Sequence, residues 1–79
     1  MAPSAARFPI GTRVQIADLK DLARFLADWK SHHPLEPEQL EHASVVTTVR
    51  EVTYYQGGDP LYVLDKVPGT WHEACLRAA

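Results

Sequence analysis

The sequence predicts a mainly β fold, a small barrel with a helical insertion after its first strand. Three observations carry that expectation. Residues 13–16 alternate polar and apolar side chains, residues 18–31 switch to helical spacing, and the rest of the chain returns to β-rich runs. Those runs recur at roughly 8–12-residue spacing with turn signals between them, the rhythm of a small β-barrel.

In FPIGTRVQIA, Gly11 punctuates, and Val14 and Ile16 alternate with Arg13 and Gln15. Period two marks a half-buried strand, with Phe8 and Ile10 expected on the same core. DLKDLARFLADWKSHHP follows. Leu19, Leu22, Ala23, Leu26 and Trp29 fall on one helical stripe, widened by Phe25. Asp18 suits the N-cap, and Asp21 places negative charge in the first turn. Pro34 disfavours helix at His33, so the helix should stop near Ser31 or His32. Asp21 and Arg24 are spaced to pair across one turn. LEPEQLEHA reads as a second, shorter helix, with an extended loop as the alternative. Pro37 takes the first helical position there, Glu36 and Glu38 sit at the positive end, and Leu35 and Leu40 turn inward. The insertion thus covers about residues 18–42.

SVVTTVREVTYY is rich in β-branched and aromatic residues. Val45, Thr47 and Val49 share one parity and Val52 and Tyr54 the other, which a bulge near Arg50–Glu51 reconciles. QGGD is a turn, since Gly57 and Gly58 accept positive φ. PLYVLD is the next strand, with Pro60 at its edge. KVPGT turns again, and WHEACLRA makes a tight corner and a short last strand. Residues 1–6 read as a flexible leader and residues 7–79 as a single domain.

Seventy-nine residues allow one domain with a thin core. Cys75 is the only cysteine, so no disulfide forms within the chain, which fits a reducing cytoplasm. The chain is 46% hydrophobic, too rich for disorder. No apolar run approaches the ~18 residues of a membrane helix, and the N-terminus lacks a secretory pattern. A net charge of −2 with scattered lysines and arginines argues mildly against nucleic acid.

IGTRVQI, SVVTTV, PLYVLD and WHEACL together resemble small bacterial SH3-like barrels, most of all the barrel domain of the nitrile hydratase β subunit and its relatives, which include accessory chains of photosynthetic electron-transfer complexes. The likeness is carried by Gly11, Val14, Leu61, Tyr62, Val63, Trp71, Glu73 and Leu76, all framework positions. It implies an SH3-like barrel and a non-catalytic accessory chain that packs on a larger partner. Plasmid-borne type II dihydrofolate reductases share the barrel, but their late Val-Gln-Ile-Tyr stretch is absent here. Val14, Gln15 and Ile16 lie in the first strand and precede Ala17.

Trp71, His72, Glu73 and Cys75 concentrate reactive chemistry in five residues. With His32, His33 or His42 they contain zinc-type donors, yet no paired ligand spacing is present. Cys75 and His72 also have nucleophile–base spacing, without any oxyanion device. The structural alternative is favoured: Trp71 plugs the barrel, Cys75 is buried, and His72 and Glu73 face water. His32 and His33 suit the end of a helix by charge alone. No catalytic residue, metal or cofactor is expected. The candidate interaction surface is Tyr54, Tyr55, Tyr62, Trp71 and His72, with one of the adjacent tyrosines turned outward beside the Gly57–Gly58 turn. The expected role is a protein-interaction module, self-associating or docking on a partner. Single-stranded nucleic-acid binding and a small-molecule or metal site at Trp71–Cys75 are the alternatives.

Overall fold

A computed structural model describes residues 6–29, 34–54 and 60–79. Within these residues five antiparallel strands form one sheet: β1 (Arg13–Ile16), β2 (Val46–Tyr54), β3 (Pro60–Leu64), β4 (Val67–His72) and β5 (Leu76–Ala78). Their order is β4-β3-β2-β1-β5. The fold is mainly β, as the alternation predicts, but the sheet does not close. β4 and β5 are its two edges, joined by a 3₁₀ turn at Glu73–Cys75.

The parity change in β2 is a bulge. Val49 pairs with Leu64 but Glu51 pairs with Val63, so Arg50 is the extra residue. A bulge bends the strand, which lets β2 pair with β1 through its first half and with β3 through its second. A second irregularity corrects the expected turn at KVPGT. The turn is Asp65–Lys66, with Lys66 at φ 60, and Val67 onward is already strand. Between the Leu64–Val67 and Tyr62–Trp71 pairs, Val63 alone faces Pro68, Gly69 and Thr70. Pro and Gly are tolerated there because β4 is an edge strand.

The helix α1 spans Leu19–Asp28, and Asp18 caps it by accepting from the Asp21 N–H at 2.9 Å. Leu22 is buried, and Phe25, Leu26 and Trp29 are half-buried. Phe25 and Leu26 pack against the core, so the helix covers the sheet. Leu19, expected on that stripe, is exposed, because the covered face narrows to the i, i+3, i+4, i+7 set that begins at Leu22. Asp21 pairs not with Arg24 but with Arg77 of β5 at 2.6 Å. The Arg77 hydrogen bond holds the Asp21 carboxyl below its ordinary range. The second helix is a 3₁₀ helix at Pro37–His42 with Pro37 leading it. Leu35 is buried and Leu40 half-buried, as expected.

The core gathers Phe8, Val14, Ile16, Leu22, Leu35, Val49, Tyr62, Leu64, Trp71, Cys75 and Leu76. Ile10 is not part of it. Gly11 at φ 92 turns the chain, with its N–H bonded to Val49 O, and leaves Ile10 outside. Of the expected leader, residues 1–5 lie outside the described residues, and Ala6 packs on the core. The turn glycines Gly57 and Gly58, Tyr55, and His32 and His33 at the expected helix end also lie outside the described residues.

Candidate functional site

The Trp71–Cys75 corner is assembled from both ends of the chain. Trp71 is fully buried within the core, as its expected burial requires. Its indole N–H finds no acceptor among the described residues. Cys75 is buried too, and burial pushes its thiol up to about 11. A neutral, enclosed thiol is a poor nucleophile and a poor metal ligand.

His72 corrects the expectation that it faces water: it is 5% exposed. Neighbouring strand residues point to opposite faces, so Trp71 enters the core while His72 meets α1. The His72 ring lies 5.1 Å from Phe25 and 4.5 Å from Trp29, and those two rings stack on each other. The helix therefore covers the face that would otherwise be wet, and His72 is packed on it.

Glu73 is half-buried and bonded rather than free in water. Tyr62 donates its hydroxyl proton to Glu73 Oε2 at 2.8 Å. The Arg7 N–H reaches the same oxygen, and the Phe8 N–H donates to Tyr62 Oη. Burial first, then the bond to Glu73, pushes the Tyr62 hydroxyl up to about 12. This network ties the N-terminal segment across the end of the sheet. Among the described residues no three His, Cys, Asp or Glu side chains gather to hold a metal ion.

Of the expected interaction surface, three of the four described residues are withdrawn from solvent. Tyr62 and Trp71 are fully buried and His72 nearly so; they are held by packing and cannot meet a partner. Tyr55 lies outside the described residues. Of the four described, Tyr54 alone is exposed, at 47%. It borders a shallow depression with Ala6, Pro9, Ile10 and Val52. Ile10, 67% exposed, is the most open large apolar side chain described. Sequence reasoning placed Ile10 in the core and missed this surface. Its available signal was Pro9 followed by Gly11, a turn that a strand approach does not need.

Gln39 was also missed. It is buried, accepts from the Glu36 N–H at 2.8 Å and donates to Thr70 O at 3.0 Å. The pattern Glu36-Pro37-Glu38-Gln39 is a capping box, legible once the helix start is accepted. Comparison with family models, with curated proteins and with solved structures finds no match.

Proposed function

We propose that this chain is a non-catalytic protein-interaction or accessory module on an SH3-like barrel, docking on a larger partner through the patch around Tyr54. Three features support the barrel. β2 is shared between two pairings and bent at its bulge. The last strand pairs with the first. A 3₁₀ turn leads into that last strand. The nitrile hydratase-type likeness belongs to the same proposal.

The observation that carries the docking role is the placement of Ile10 and Tyr54, both exposed, around one apolar depression. Exposed aromatic and aliphatic side chains grouped with apolar neighbours suit the centre of an interface. A single-strand nucleic-acid role has less support. Base stacking needs open aromatics, and Tyr54 is the one exposed aromatic among the described residues. The lone, buried cysteine suits a cytoplasmic setting. No described helix is long and apolar enough to cross a membrane.

The test compares the wild-type chain with an Ile10→Asp/Tyr54→Ser double variant as baits in native lysate, quantified by mass spectrometry. The proposal expects a specific protein enriched by the wild type and lost with the variant, whose melting temperature stays unchanged. Equal recoveries with both baits would remove the patch as a docking site.

A further inference from the structure

A groove of about 290 Å³ lies between the 3₁₀ helix Pro37–His42 and β4. Its lining is mostly apolar, although among the described residues Pro68 is the one apolar side chain in it. Carbon atoms of Gly69, His42, Gln39 and the glutamates make up the rest, and long polar side chains commonly offer their stems in this way.

The floor is fixed. Gln39 is bonded to Glu36, which caps its helix, and to Thr70 on β4. Gly69 permits that approach: a Cβ there would stand 2.9 Å from Gln39 Nε2. The rim is acidic. Glu36, Glu38 and Glu41 all line the groove and all are exposed, and among the described residues no Lys or Arg is in the lining. Among the described residues the ion pair is Arg77–Asp21, elsewhere on the molecule. His42 also borders the groove.

Among the described residues these carboxylates do not gather with other donors to hold one metal ion. A matching ligand must therefore spread its positive charge over several groups. Lys and Arg meet both demands, since their stems cover apolar surface while their heads reach outward to carboxylates. We propose that this groove binds an extended, lysine- or arginine-bearing segment of a partner protein. The groove shares no lining residue with the Tyr54 patch, so this binding stands or falls independently of that one.

The test is a titration of the ¹⁵N-labelled full chain with the capped peptides KAKAKA and RARARA, and with EAEAEA as the charge-reversed control. The expected result is saturable shifts of the Gln39, His42 and Gly69 amides with a basic peptide and none with the acidic one. A Glu38→Gln/Glu41→Gln double variant, which changes only exposed side chains, should weaken binding roughly threefold to tenfold. Raising salt from about 50 to about 300 mM should weaken it further. Absence of saturable shifts up to about 1 mM of either basic peptide would overturn the proposal. So would shifts centred on Tyr54, or an affinity unchanged in the double variant.

Discussion

The Trp71–Cys75 corner and the Ile10–Tyr54 patch stand at opposite extremes of exposure. The corner holds the residue types that usually attract attention, an indole, an imidazole, a carboxylate and a thiol. Three of these four side chains are buried, and the fourth is bonded to Tyr62. The patch holds Pro9, Ile10, Val52 and Tyr54, residues with no reactive chemistry, two of them large and well exposed. The difference teaches that residue type names what a side chain can do, while packing decides whether it is available. Here the chemistry-rich segment holds the fold together, and the plain one is open for contact.

Truncating Trp71 should break the comparison most severely. Trp71→Ala removes the largest fully buried side chain and should cost about 3–5 kcal/mol. In a chain with this thin a core that approaches the whole of its stability. Chemical denaturation followed by circular dichroism reads the loss, and an unchanged midpoint would show that the corner is not the centre of the core.

Gly69→Ala should cost at least ~1–2 kcal/mol. The glycine sits at φ 91, where L residues are strained, and the added methyl meets the Gln39 side chain. The same denaturation midpoint measures it.

Tyr62→Phe removes the hydroxyl that joins Phe8 to Glu73. It should cost about 1–2 kcal/mol, because a charged acceptor and a buried N–H lose their shared partner. A pH signature accompanies it. The hydroxyl is raised from 10.0 to about 12 on folding, so above pH 10 the unfolded chain loses this proton while the folded chain keeps it. Stability from this group is complete below pH 10 and falls as pH rises toward 12. The melting temperature of the wild type should therefore drop more steeply over that range than that of Tyr62→Phe. Parallel curves would disconnect Tyr62 from the alkaline transition.

The smallest effect belongs to the patch. Ile10→Ser and Tyr54→Ser should each move stability by no more than about 0.5 kcal/mol. A loss above ~2 kcal/mol at either position would make the patch part of the core and erase the contrast.

Local signals in the sequence were dependable where one physical rule dominated. The parity switch located the bulge at Arg50, Asp18 marked the helix cap, and Pro37 marked the start of the 3₁₀ helix. Burial of Trp71 and Cys75 followed from their size and apolar character. The failures lie where residue type does not settle which way the chain turns or what covers a side chain. Alternation sends His72 away from the core, and only the position of α1 shows that Phe25 and Trp29 wait there. Tyr62 pairs with Trp71 across the β3–β4 ladder, and that register depends on extra residues at Pro68–Thr70 that KVPGT disguised as a turn. Ile10 looked like core until the turn at Gly11 carried it out.

The central claim, that the corner is closed and structural, is tested most directly by the reactivity of its thiol. Cys75 is the only cysteine, so a colorimetric disulfide reagent reports on that site alone. At pH 8 the folded protein should react far more slowly than a free thiol, with one equivalent released at full rate on denaturation, since burial holds the thiol neutral. A native protein that reacts at the rate of an exposed cysteine would show an open corner and contradict the claim.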